Sequence, residues 1–315
     1  MFKSVLEGDQ LELVHKRRSE CLKDRGKLRL ALGTAYDIGQ LPQEIDALLD
    51  RIFPDDGGFN AVNNDRDRAL LDRYLVGAIE TGKLTVLHEH RLRQEYAQLY
   101  YNALTGTNVV DAEGIYAADM SILGDLFGHI TRDSTPNRIV PERSHVAVVW
   151  RAAIVGLEPA FKAGITRSIH YGMSRNGTPH STVYYRGESA QKKVAPDEMA
   201  VGFDPVCATG GTMLDLVDEL EKQGFSPSNI RLASKFAAPE GLVRVLRRRP
   251  NIAGFTLGRA ETGMDDHAYL FNMRVGDAGD LSRDALVRRL DAIRKMGMIS
   301  TAEAARLMER FTTGV

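Results

Sequence analysis

The segment FDPVCATGGTMLDLVDEL, residues 203–220, gathers the residue types and spacing best suited to chemistry. Asp204 precedes a loop almost stripped of bulky side chains: Ala208, Thr209, Gly210, Gly211 and Thr212. Glycines permit positive φ, so successive backbone N–H groups in such a loop can turn toward a single anion. The next stretch predicts a helix with Met213, Leu216, Val217 and Leu220 on one face and Gly224 at its end. Its N-terminus would bring a partial positive charge to the same place. Two threonine hydroxyls add donors. The loop is therefore suited to a phosphate. Asp204, at the end of the apolar run MAVGFD, is placed to accept hydrogen bonds from adjoining sugar hydroxyls. A plain strand-to-helix turn would account for a bare glycine pair; the acid, the threonines and the strand–loop–helix context together favour the phosphate. Cys207 has no histidine near it in sequence to activate it and fits a small buried thiol.

The elements that must hold this loop follow from periodicity. HVAVVW (145–150), TVYY, MAVGFD, IRLAS and IAGFTL are short apolar runs of the kind buried in a parallel sheet. Helical stretches at LEPAFKAG, 213–223 and 240–248 alternate with them, which predicts an α/β fold. The first half of the chain has mainly helical spacing, as in ALLDRYLVGAIETG, where Leu70, Leu71, Tyr74, Leu75, Ala78 and Ile79 share a face and Gly82 stops it. LRQEYAQLYYNAL continues in the same way, whereas FPDDGGFNAVNNDRD (53–67) predicts a loop. After GDAGD the spacing is again helical, and Ser300 with Glu303 fits a capping box. These patterns divide the chain into a helical region 1–130, an α/β core 131–281 and a C-terminal helical segment 282–315.

Composition narrows the partners. The chain of 315 residues carries 41 basic and 42 acidic side chains, for a formal net charge of −1. That balance points away from nucleic acid, which selects a basic excess. The run LRRRP, with Arg247 to Arg249, fits a solvated helix end. Asp265, Asp266 and His267 form a contiguous triplet that fits a solvated turn better than a metal site. Two cysteines, Cys21 and Cys207, exclude a disulfide framework or a four-thiolate zinc site. No apolar stretch reaches the roughly 20 residues that span a bilayer, so a soluble, cytoplasmic protein with no membrane partner is expected.

Four ordered segments resemble one family. DPVCATGGT (204–212) is similar to the phosphoribosyl-diphosphate loop of type I phosphoribosyltransferases, and in its single acid followed by proline to that of uracil phosphoribosyltransferase. VWRAAIVGLEPAFKAG and IHYGMSRN resemble the two arginine-bearing segments of the same group. AAPEGLVRVLRRRP with AYLFNMRVGDAGD resembles its late helix and base-binding loop. The likeness covers roughly 144–281. It implies a mainly parallel twisted sheet flanked by helices, and transfer of phosphoribose from 5-phosphoribosyl 1-diphosphate to a uracil-like pyrimidine or other small nitrogen nucleophile. It further implies Arg151 and Arg175 as diphosphate-binding groups that act in catalysis with Asp204. Pro205, Val206, Cys207, Ala208, Thr209, Gly210, Gly211, Thr212 and Asp277 would complete that substrate's site. Leu270, Gly276, Asp277 and Ala278 would meet the base. Magnesium would ride on the diphosphate, with no protein side chains alone forming its site. A homodimer or higher homo-oligomer is also implied. Asn272, Met273 and Arg274 replace the family's Pro-Gly turn and Leu281 its usual basic residue, so an altered base preference is expected. A non-catalytic nucleotide-binding regulator would need the same loop and is the alternative.

Overall fold

In the computed structural model the described residues are 41–54, 58–87, 112–132, 139–150, 152–174, 182–260, 291, 294, 295, 297, 299–305 and 309. Their framework is one sheet whose strands are β1 (Leu84–Val86), β2 (Ser144–Trp150), β3 (Arg167–Ser174), β4 (Thr182–Arg186), β5 (Met199–Phe203), β6 (Val206–Cys207), β7 (Ile230–Ala237) and β8 (Gly254–Ala260). The order is β1-β8-β7-β5-β2-β3-β4, with β6 pairing β7 beyond the end of β5. Every pairing is parallel except β3 with β4. The apolar runs read from the sequence are thus strands. The run IRLAS continues through Lys235 to Ala237.

Helices cover both faces: α1 (Leu41–Ile52), α2 (Asp65–Glu80), α3 (Ala112–Arg132), α4 (Leu157–Lys162), α5 (Gly211–Gln223) and α6 (Pro239–Arg248). Asn64 caps α2 by accepting the Asp67 amide at 2.8 Å, which ends the Pro/Gly/Asn-rich loop three residues earlier than its composition suggested. Gly82, at φ 73°, lies just past the C-cap Thr81. Leu84–Val86 then pairs with Phe255–Leu257, adding a strand to a region whose spacing is mainly helical. Three residues are too few to show a period of two, and their backbone groups are satisfied by β8, far away in sequence. At the other end, the Glu303 amide donates to Ser300 Oγ at 3.0 Å, as the capping box requires.

Strand side chains alternate between faces, and the alternation sorts the core into two layers. Ala147, Val149, Ile169, Tyr171, Ala200, Leu232, Phe255 and Leu257 pack with Met213, Leu216 and Val217 of α5 and Leu242 and Val245 of α6. Val146, Val148, Trp150, Val201, Phe203 and Ala233 pack with Leu123, Leu126, Phe127 and Ile130 of α3 and with Leu157 and Ala160 of α4. At about 25 cal/mol per Å² of apolar surface, each fully buried leucine or phenylalanine contributes about 1.5–3 kcal/mol.

Candidate active site

Three strands end side by side at one edge of the sheet. β2 runs parallel to β3 on one side and to β5 on the other, so Trp150, Ser174 and Phe203 close these strands at the same edge. From β2 the chain winds one way to β3 and β4, then returns across to β5, β7 and β8. The C-terminal edge at such a reversal is where open α/β sheets form a ligand crevice. Asp204 follows Phe203 directly. Arg151 and Arg175 follow Trp150 and Ser174 in sequence but lie outside the described residues, as do Leu270, Gly276, Asp277 and Ala278.

The loop from Asp204 to Thr212 is built almost entirely from backbone. The Asp204 amide donates to Ala233 O at 3.3 Å, and Pro205 O accepts from the amides of Lys235 and Phe236, both at 3.1 Å. Ser234 Oγ donates to Asp204 O at 2.6 Å. β6 pairs Val206 with Phe236 and Cys207 with Ala237. Cys207, buried and in no disulfide, is the packing residue expected of it. Near the acid itself, the Val206 amide stands 3.5 Å from Asp204 Oδ1.

Beyond β6 the chain turns through Gly210 at φ 75°, ψ −3°, the left-handed region, and enters α5 at Gly211. A side chain at 210 would be strained by that φ, and its Cβ would stand 2.7 Å from the Gly241 carbonyl of α6. The contact is reciprocal: a Cβ on Gly241 would fall 2.0 Å from Ala208 O. Loop and α6 therefore touch backbone to backbone, through a glycine on each. Arg244, one turn further along α6, donates to Thr209 O at 3.1 Å while its guanidinium lies 4.4 Å from the centre of the Phe53 ring. Leu214 donates to Gly210 O at 3.0 Å, so α5 is wound from its first turn. The leading amides of any helix lack an intrahelical acceptor, and here they follow directly on Thr209 and Gly210.

Burial holds two titratable side chains of β3 uncharged. Burial pushes the His170 imidazole on β3 down to about 3, so it is neutral; its Nε2 lies 2.8 Å from Ser168 Oγ and its ring 5.2 Å from Trp150. Burial raises the Tyr171 hydroxyl, and Glu219 nearby raises it further. Its proton is given to Gln223 Oε1 at 2.9 Å.

Among the described residues no cluster of histidine, cysteine, aspartate or glutamate could hold a metal ion, and no helix is long and apolar enough to cross a membrane. A cavity of about 330 Å³ lies between α1, α5 and α6, with Phe53, Gly211, Leu214 and Arg244 in its wall. The arginine run beside it is not merely solvated. Arg247 makes two contacts to Asp46, at 2.8 and 2.7 Å, Arg248 reaches Asp50 at 3.3 Å, and Arg249 bonds Asp218. Those carboxylates stand on α1 and α5, a match that local sequence does not reveal. Ser234, Lys235, Gly241 and Arg244 also escaped the sequence reading as parts of the loop's support. The one signal was a lysine continuing an otherwise apolar run.

Comparison with known proteins agrees with this geometry. Residues 156–282 match the family model described as uracil phosphoribosyltransferase. A uracil phosphoribosyltransferase of Pyrococcus furiosus is 27% identical over 150 residues, 47% of this chain and 63% of the relative's length. That of Acinetobacter baylyi is 27% identical over 221 residues, covering 67% of this chain and 92% of the relative. Among solved structures, the AQ2163 protein from Aquifex aeolicus shares the fold with a TM-score of 0.51 at 21% identity, over 63% of this chain and 96% of its own. A doubly flanked parallel sheet, a glycine-hinged loop at its reversal edge and these relatives agree on one likeness: over residues 156–282 the chain is similar to uracil phosphoribosyltransferases.

Proposed function

We propose that the protein transfers phosphoribose from 5-phosphoribosyl 1-diphosphate to a uracil-like pyrimidine or another small nitrogen nucleophile. The bond from the ring nitrogen to the anomeric carbon replaces the bond to diphosphate, and the products are a nucleoside monophosphate and pyrophosphate. The observation that carries the proposal is the Asp204–Thr212 loop, set at the C-terminal end of β5 with left-handed Gly210 entering α5. Amides of Thr209 to Thr212 and the two threonine hydroxyls would hold the 5′-phosphate, while the Asp204 carboxylate would accept from ribose hydroxyls. Arg151 and Arg175, next in sequence after the ends of β2 and β3, would hold the diphosphate as negative charge grows on it. Catalysis of this kind is positioning plus preorganised charge, without a covalent intermediate.

Magnesium fits this donor set as a passenger on the substrate. Asp204 is the only acid in the loop, so diphosphate and ribose oxygens would supply the ion's ligands, and the ion would neutralise leaving-group charge. Asn272, Met273 and Arg274, in place of a Pro-Gly turn, support a base preference shifted away from uracil itself.

The test follows pyrophosphate release from 5-phosphoribosyl 1-diphosphate with magnesium and a panel of pyrimidines and small heterocyclic bases. Release with at least one base is expected. Tight binding of the diphosphate substrate without release for any base would make the protein a regulator, and absence of binding would remove the site altogether.

A further inference from the structure

β7 carries a feature that neither the phosphate loop nor packing requires. Lys235 and Asp119, 1% and 0% exposed, form an ion pair of 2.5 Å inside the sheet–α3 layer. Burying two charges costs several kcal/mol each unless geometry and hydrogen bonds compensate, so such a pair is weak evidence for stability alone. Its position says more. The Lys235 amide donates to Pro205 O at 3.1 Å, the next amide, of Phe236, donates to the same oxygen, and the preceding side chain, Ser234, donates to Asp204 O at 2.6 Å. Residues 233–236 thus hold the Asp204–Pro205 backbone by four hydrogen bonds, counting the Asp204 amide on Ala233 O at 3.3 Å. The residue at the middle of that bracket is the one whose side chain is locked to α3, in a part of the chain that precedes the family-matched 156–282.

We infer that Ser234 and the buried Lys235–Asp119 pair are positioning residues for Asp204, through which α3 sets the placement of the acid proposed to hold the ribose. The inference rests on the proposed function for its catalytic consequence, though not for its structural one. Without the Asp119 carboxylate, the ammonium must leave the core or stay buried without this countercharge. Leaving would draw residues 234–236 away from Pro205. Ser234 acts at shorter range: it orients the Asp204 carbonyl, hence the plane of the Asp204–Pro205 peptide.

Two variants and two readouts test this. Ser234→Ala removes one hydroxyl from a fully buried site, and Ser234→Thr restores it. The double variant Asp119→Leu/Lys235→Met removes both charges together, which circumvents the folding defect expected of either single change. Amide hydrogen exchange at Lys235 and Phe236, whose acceptor is Pro205 O, reports the bracket whatever the activity. Kinetics with 5-phosphoribosyl 1-diphosphate report Asp204. Expected are at least about tenfold faster exchange at those amides in the double variant at preserved thermal stability, and kcat/KM lower by about tenfold in both Ser234→Ala and the double variant, with recovery in Ser234→Thr. Wild-type exchange together with wild-type kcat/KM in the stable double variant would reduce the pair to packing and overturn the inference. A wild-type protein that releases no pyrophosphate would defeat the proposed function, while the exchange result would still decide whether the pair braces the loop.

Discussion

The two faces of the sheet are built on different principles. Under α5 and α6 the strands present Ala147, Val149, Ile169, Leu232, Phe255 and Leu257, an apolar surface that the helices meet mainly by shape, with the Tyr171–Gln223 hydrogen bond as a polar link. Under α3 the alternate positions of β7 and β8 include Arg231, Lys235 and Thr256, all buried, with Arg231 Nη1 donating to Thr256 Oγ1 at 2.9 Å and Lys235 held by Asp119. The comparison teaches that a helix can be joined to a core by complementarity of volume or by complementarity of charge. The second tolerates fewer partners, because an unpaired charge in a dry layer costs more than a mismatched methyl group. The face under α3 thus specifies its helix more strictly, and it is the face tied to the Asp204 backbone.

Breaking each face in turn sharpens the contrast. Asp119→Ala should lose about 3–5 kcal/mol of stability by denaturant unfolding, because it leaves Lys235 buried without this carboxylate. Leu216→Ala, on the apolar face, should lose about 2–5 kcal/mol but leave no charge behind, so a nonpolar replacement such as Leu216→Met should cost less than about 1.5 kcal/mol. If Asp119→Ala proved as mild as Leu216→Met, the two faces would not differ in the way described. At the loop that both faces support, Gly210→Ala combines a φ of 75° with a contact of 2.7 Å to the Gly241 carbonyl. It should lose about 1–3 kcal/mol and raise the KM for 5-phosphoribosyl 1-diphosphate, measurable by calorimetry and steady-state kinetics. Asp204→Asn keeps the shape and removes the charge, and should lower kcat/KM at least about tenfold, or about 1.4 kcal/mol, with little change in melting temperature.

The smallest expected effect is a pH dependence centred on β3. His170 is neutral in the folded chain, with its pKa depressed to about 3 by burial, against 6.5 when exposed. His145 is depressed as well, by burial first and then by Arg167. Between pH 6.5 and about 3 the unfolded chain therefore binds protons that the folded chain refuses, so stability is full above 6.5 and declines as the pH falls. Glu198 and Asp46, whose pKa values are lowered, add to the decline only below the ordinary carboxylate range. Urea midpoints between pH 5 and 7 should fall on acidification, and the slope should flatten in His170→Gln. An unchanged slope would place the proton uptake elsewhere.

How far the sequence foretold all this follows the same division. The strand–loop–helix unit from Met199 to Gln223 was legible because its signals are local: a buried run, an acid, paired glycines and a helical stripe lie within one window. The Ser300–Glu303 cap was legible for the same reason. Lys235 was not, because a lysine ends an apolar run unless its counter-ion is known, and Asp119 lies 116 positions away. Arg247 suggested a solvated helix end for the same want of a distant partner, Asp46. β1 escaped because a strand of three residues owes its existence to β8 rather than to any period of its own. Of the proposed site, the loop residues Asp204 to Thr212 are contiguous in the structure as in the sequence, whereas the roles of Arg151, Arg175, Asp277 and the base-facing residues are expectations carried by resemblance.

The central claim is that the loop after β6 closes on a sugar phosphate. Titration of magnesium and 5-phosphoribosyl 1-diphosphate against the isotopically labelled protein, followed through backbone amide resonances, addresses it residue by residue. The account predicts saturable shifts concentrated at Thr209, Gly210, Gly211 and Thr212, with a second group around Asp204. Saturable binding that leaves those four amides unmoved, or no binding at millimolar ligand, would contradict it.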